Sequence, residues 1–151
     1  MVNDTALFRK MLIPVDGSSY SLSAIRLGGR LAAVHGSDVW ILNVIDQEVM
    51  AQLCRLNREQ CGVVQRNMEE EARGLVADMK AELAKTGVDA SALVKKGTPH
   101  DIILDSSQEL GIDLIVMGKL GRRGVKRILL GSVAERVIEF ASCPVLLSDG
   151  S

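Results

Sequence analysis

Aromatic side chains are scarce in this chain: one Trp, one Tyr and two Phe among 151 residues. Proteins that hold single-stranded nucleic acid stack bases on aromatic rings, so the composition argues against that class. Charge of one sign is equally lacking. A net charge of −1 gives no global attraction for DNA or an anionic bilayer, and neither nucleic acid nor membrane is an expected partner. No apolar run reaches the roughly 20 residues that a membrane helix needs. The opening "MVNDTALFRKMLIPVDG" has no signal-peptide layout, because its apolar run "MLIPV" is too brief. A cytoplasmic location is the expectation. Cysteine is sparse too. Cys54, Cys61 and Cys143 form no metal-spaced cluster and leave an odd thiol in any pairing scheme. Reduced or buried thiols are expected, with a redox role for Cys54 and Cys61, seven apart on one helix face, as the alternative.

What the chain does have is an ordinary globular composition, 47% hydrophobic and 25% charged, in a length that suits one domain over residues 1–151. Its core must come from Val, Ile, Leu, Ala and Met. Apolar patterning alternates between short runs and helical stripes. "MLIPV" (11–15), "VWILNVI" (39–45), "ASALVKKG" (90–97), "DLIVMG" (113–118) and "CPVLLS" (143–148) read as strands. Helices are expected over 19–35, over much of 48–86, over 99–109 and over about 133–141. In the second of these, Ala72, Leu75, Val76, Met79 and Leu83 fall on one face. The part around Leu53 to Gly62 is less regular, as though broken. Thr98-Pro99 fits an N-cap followed by proline in the first turn. Strands that are nearly all apolar, alternating with helices, imply a parallel sheet covered on both faces. The fold class is α/β: a single doubly wound domain.

Open parallel sheets bind ligands outside the carboxyl ends of their strands, where strand order reverses. Two loops qualify: Asp16-Gly17-Ser18 after the first strand, and the stretch that begins at Gly118. The second reads "MGKLGRRGVKRILLGSVAERV" over residues 117–137. Gly118 and Gly121 bracket a turn, and Gly131-Ser132 opens a helix. Glycines permit positive φ and close main-chain approach to a ligand, and a helix N-terminus offers free N–H donors to phosphate. Lys119, Arg122, Arg123, Lys126 and Arg127 stand in a segment, 114–130, that has no acid. These features together describe a phosphate cradle. A ligand-free reading stands beside it. Ser132 and Glu135 match the S-x-x-E capping box, Gly118 could simply end a strand, and five cations could be a solvated surface.

Other nucleotide sites do not match. There is no G-x-x-x-x-G-K-[ST] sequence and no G-x-G-x-x-G after the first strand. A phospho-receiver would need an acidic pair after the first strand and an acceptor Asp after the third, where this chain has Lys95-Lys96.

The spacing G-x-x-G, nine residues, then G-[ST] is similar to the nucleotide-binding signature of the universal stress protein family. Here it is Gly118, Gly121, Gly131 and Ser132. The resemblance extends to "MLIPVDGSSYS", "GTPHDIIL", "DLIVMG" and "GSVAERVIEFASCPVLL", in that order; residues 48–70 match nothing diagnostic. It implies a five-stranded parallel sheet in order 3-2-1-4-5 and ATP, with Mg²⁺, as the ligand. Gly118, Gly121, Gly131 and Ser132 would hold phosphates and ribose, with Val133 contributing main chain and Arg122 charge. Asp16 would bond the adenosine end, and Pro14, Val15 and Val44 would line an adenine pocket beside Met117. No metal site of protein side chains alone is expected. Lys119 stands where many members have a small polar residue, and would strengthen phosphate binding or block it. Asn43 replaces a frequent His, with little consequence expected. The resemblance also implies a homodimer through residues 144–148.

Three functions follow. The first is an ATP-binding regulatory protein of the stress response whose nucleotide state, by ordering residues 119–130, changes contacts with a protein partner. The others are a weak ATP hydrolase and a nucleotide-free dimeric scaffold. Against hydrolysis, His35 and His100 are both expected at the far ends of the strands from the crevice, leaving no general base.

Overall fold

The fold is described from a computed structural model, over residues 5–122 and 129–150. Five parallel strands, β1 (Lys10–Pro14), β2 (Asp38–Asp46), β3 (Ala90–Gly97), β4 (Leu114–Gly118) and β5 (Val145–Ser148), lie in the order β3-β2-β1-β4-β5. Pairing is in register from Lys10 opposite Asp38 to Pro14 opposite Leu42, and Met11 faces Leu114 on the other side. Helices cover both faces, so the expected architecture and strand order are those observed.

Strand alternation divides the apolar residues between two cores, since successive side chains point to opposite faces. Met11 and Ile13 of β1, Val15 just beyond it, and Leu114 and Val116 of β4 meet α1 (Ser19–His35) and α3 (Cys61–Ala84) on one face. Leu12, Ile115 and Met117 meet α4 (Pro99–Glu109) and α5 (Ser132–Phe140) on the other. Helix α1 lies close to the sheet because Gly28 has no Cβ; one built there would stand 2.6 Å from Ile13 Cδ1.

The long helical region divides. Helix α2 (Gln47–Leu56) ends at Asn57, a 3-10 turn spans Arg58–Gln60, and α3 starts at Cys61. Cys54 and Cys61 therefore do not share one helix face. They are joined in a disulfide across the break, which corrects the expectation of reduced thiols and leaves Cys143 as the free cysteine. Elsewhere the expected elements hold, with ends shifted by a residue or so. Thr98 does occupy the N-cap of α4, ahead of Pro99, but its hydroxyl makes no capping bond. Among the described residues, no helix is long and apolar enough to cross a membrane.

Candidate functional site

Strand order reverses between β1 and β4, and the loops leaving these two strands face each other. The first loop is built by three residues in succession. Asp16 Oδ1 accepts from Ser18 N at 2.9 Å, Gly17 takes φ +85°, and the Ser18 side chain caps α1 by accepting from Ser21 N. The turn needs glycine at that φ. The second carboxylate oxygen of Asp16 accepts from Arg122 N at 3.1 Å. Asp16 thus clasps the two loops together. Behind it, Asn43 Nδ2 donates to Val15 O at 2.7 Å. A residue from which little was expected therefore fixes the main chain on which Asp16 stands.

The glycines after β4 act otherwise than through positive φ, which none of Gly118, Gly121 and Gly131 adopts. Each allows the chain to approach itself. A Cβ on Gly118 would stand 2.5 Å from Tyr20 Cβ and 2.9 Å from the Tyr20 carbonyl carbon. One on Gly121 would meet Asp16 Oδ2 at 2.9 Å, and one on Gly131 would meet Lys119 O at 3.2 Å. The Gly131 N–H is also spent, donating to Lys119 O at 2.7 Å. Helix α5 is entered differently from the capping-box expectation. Gly131 is the N-cap, Ser132 is the first helical residue, and no side chain caps the helix. The exposed Ser132 hydroxyl stays available, beside the first-turn N–H groups of Ser132, Val133 and Ala134 that a helix leaves without internal acceptors.

These elements enclose one cleft of about 1240 Å³. All eleven residues singled out from the sequence border it: Pro14, Val15, Asp16, Val44, Met117, Gly118, Gly121, Arg122, Gly131, Ser132 and Val133. Val15 and Met117 are buried, 4% and 5% exposed, so they offer the cleft little side chain. Val44 is half-buried and offers more. Lys119 and Arg122 bring positive charge to the α5 end. Arg123, Lys126 and Arg127 lie outside the described residues.

The opposite wall was not foreseen. Helices α2 and α3 bring Glu48, Gln52, Glu71, Leu75 and Asp78 to the cleft, adding three carboxylates to a lining that already holds Asp16, Asp46 and Glu135 beside Lys119 and Arg122. The acids would favour hydrogen-bond donors and disfavour polyphosphate. Helical spacing alone showed α3 as amphipathic without saying which end overhangs the site.

A further expectation is overturned. His35 does sit at the end of α1, where its Nδ1 accepts from Leu7 N at 3.3 Å. His100, however, is the second residue of α4, which follows directly on the carboxyl end of β3. It is therefore on the same end of the sheet as the cleft, whose border includes its neighbour Pro99. His100 itself stands aside, with Nε2 3.3 Å from Asp101 Oδ1. Among the described residues, no group of three or more His, Cys, Asp or Glu is placed to hold a metal ion.

The universal stress protein family model matches residues 7–148. The universal stress protein MJ0531 of Methanocaldococcus jannaschii is 34% identical over 145 residues, 96% of this chain and 84% of that protein. The solved structure of MJ0577 from the same organism is 30% identical, covers 94% of this chain and 96% of its own, and superposes with a TM-score of 0.82. Two further structures share the fold. One, from Archaeoglobus fulgidus, is a complex with dAMP (20% identity, 96% and 100% coverage, TM-score 0.71). The other is a complex with cAMP (21% identity, 95% and 98% coverage, TM-score 0.71). With the fold, the strand order and the cleft at the β1/β4 reversal in place, the match across nearly the whole chain has one meaning: the protein belongs to the universal stress protein family.

Proposed function

We propose that the chain is an ATP-binding regulatory protein of the cytoplasm. The observation that carries this reading is the lining of the cleft. First-turn N–H groups and the Ser132 hydroxyl stand at the α5 end, with Lys119 and Arg122 on the adjoining loop and Glu135 beside them, and Val44, Pro14 and the acidic α2–α3 wall complete the lining. An adenine nucleotide suits both donors and acids, with anionic phosphates at one end and donor amine and hydroxyl groups at the other. The residues fit the group. Ser132, Val133, Lys119 and Arg122 would hold phosphate, Asp16 would accept from a ribose hydroxyl while keeping its clasp, and Val44 would cover the base. The complexes with dAMP and cAMP in two proteins of this fold support an adenine ligand; the choice of ATP rests on the five cations of residues 119–127. Mg²⁺ would come on the phosphates, screening their charge.

Among the described residues no histidine borders the cleft; hydrolysis would have to draw its base from the carboxylates there, and binding is the reading adopted. Nucleotide occupancy would alter the surface around residues 119–130 that a protein partner reads. Hydrogen exchange in that segment, unchanged by saturating Mg-ATP, would defeat this step.

Calorimetric titration with Mg-ATP tests the reading, on wild type and on Ser132→Asp. An acid in the first turn of an exposed helix end helps the helix by about 0.3–1 kcal/mol and repels phosphate. Binding should weaken by at least about 30-fold while the melting temperature stays level or rises. Equal affinity in the two proteins would remove phosphate from α5. Gly131→Val is a poorer test, because its side chain would strike Lys119 and Leu120 and weaken the fold as well.

The homodimer belongs to the same proposal. Ile115 N donates to Pro144 O and Lys119 N to Ser148 O, so Val145 and Leu147 turn their N–H and C=O groups away from β4, along the sheet edge. An edge of this kind invites pairing, and a second copy through residues 144–148 would satisfy it. Light scattering should give twice the 16.3 kDa chain mass; a monomer at micromolar concentration would reject it.

A further inference from the structure

The Cys54–Cys61 bond has no part in the function proposed above, yet it holds one wall of the cleft. The start of helix α2 is tied by the Asp46 cap and a Gln47–Thr98 hydrogen bond, but its far end has little else to secure it. Of its ten residues only Met50 is buried. Met50 packs with Ile45 and Ala72, and with the half-buried Cys54, Met68 and Val94, in a small cluster separate from both main cores. The chain then breaks at Asn57, where φ is −131° and ψ 56°, and the bond spans that break with a Cα–Cα distance of 4.6 Å. On its near side α2 gives Glu48, Val49 and Gln52 to the cleft; on its far side α3 gives Met68, Glu71 and Leu75.

Both cysteines are within reach of solvent. Each is only half-buried, and Leu53, Arg55, Leu56 and Arg58 around them are exposed. Cys61 is the first residue of the 24-residue helix α3. Released from the bond, its sulfur would sit at the positive end of the helix dipole, close in sequence to Arg58. That environment favours the thiolate. The third cysteine differs. Burial, with Asp113 adding to it, pushes the Cys143 thiol up, which keeps it protonated and slow to exchange.

We infer that Cys54 and Cys61 form a thiol–disulfide exchange site, whose substrate is a dithiol and whose state sets how firmly the α2 wall closes on the cleft. In the opening direction, a thiolate of the dithiol attacks one protein sulfur and releases the other cysteine as a thiol. Its second thiol then displaces the first protein sulfur. Two electrons and two protons pass to Cys54 and Cys61, and the dithiol leaves as a disulfide. In the closing direction, the Cys61 thiolate attacks a disulfide of the same class and Cys54 resolves the mixed intermediate. Reduction leaves α2 held by its Met50 cluster, the Asp46 cap at its start and the Gln47–Thr98 hydrogen bond, with its C-terminal end freed. The consequence for ligand affinity rests on the nucleotide-binding reading; the loosening of α2 does not.

The test compares the full chain, oxidised and after treatment with dithiothreitol. Reduction should raise the accessible thiols of the denatured protein from one to three and speed amide exchange across 47–56 by about tenfold. Affinity for Mg-ATP should fall by roughly threefold to tenfold, as expected when a preorganised wall loosens. Cys54→Ser with Cys61→Ser should match the reduced protein and ignore dithiothreitol, whereas Cys143→Ser should respond as wild type does. A bond that resists dithiothreitol in the folded protein, or equal exchange across 47–56 in both states, would overturn the proposal. So would equal Mg-ATP affinity in two states that both bind. Absence of Mg-ATP binding in both states would fail the nucleotide reading instead, and the exchange rates would still decide the switch.

Discussion

The β4–α5 side of the cleft is closed by what its residues lack, and the α2–α3 side by what two residues share. On the first side, Gly118, Gly121 and Gly131 omit the Cβ atoms that would crowd Tyr20, Asp16 and Lys119; at Gly118 and Gly131 main chain rests on main chain, and at Gly121 it rests on the Asp16 carboxylate. On the second, one buried methionine and one disulfide hold a helix that is otherwise solvated. Backbone contact leaves no slack: the first wall is either built correctly or displaced. A stapled helix can loosen by degrees while the sheet beneath it stays intact. On the proposed reading, the rigid wall would fix the ligand's geometry and the adjustable wall would tune its affinity.

Three substitutions would sharpen this contrast. Gly118→Val should have the largest effect, destabilising the protein by about 3 kcal/mol, because its Cβ would meet the Tyr20 backbone rather than a movable side-chain tip. Denaturant unfolding would show it as a lower midpoint with the slope unchanged. Met50→Ala should come next, at about 2 kcal/mol. That loss should appear as faster amide exchange confined to 47–60, with the sheet protected as before; a global loss of protection would mean that α2 is not a separate unit. Asn43→Ala should be smallest, about 1 kcal/mol, since one hydrogen bond to Val15 O is lost. Its mark should be weaker nucleotide binding beyond the loss of stability, because Asp16 follows directly on the freed carbonyl.

The rigid wall was legible in the sequence and the adjustable wall was not. Glycine spacing and apolar runs act locally, so "DLIVMG" and Gly131-Ser132 identified the strand, the turn and the helix start before any tertiary contact was known. The reason for the glycines was legible only in part, because close approach to Tyr20 or Asp16 depends on residues some hundred positions distant. Ser132 and Glu135 matched a capping pattern that the chain does not use, since Gly131 takes the cap and leaves the serine hydroxyl outside. The Cys54–Cys61 bond was hidden for another reason. A spacing of seven suits one continuous helix, and only the break at Asn57 brings the two sulfurs together. His100 was misplaced because a helix start was read without asking which end of β3 it followed.

A single residue, Lys119, carries the main chain from the cradle to the sheet edge. Its carbonyl accepts from Gly131 N and its N–H donates to Ser148 O, so three residues from α5, the β4 loop and β5 form one relay. Thermodynamic linkage gives this geometry a consequence. Whatever factor by which nucleotide changes the pairing of β5 with a second copy, pairing must change nucleotide affinity by the same factor. If a second copy pairs at β5 as proposed, the protein's own concentration would through that relay become an effector of the proposed nucleotide site, and dilution would be felt in the cleft.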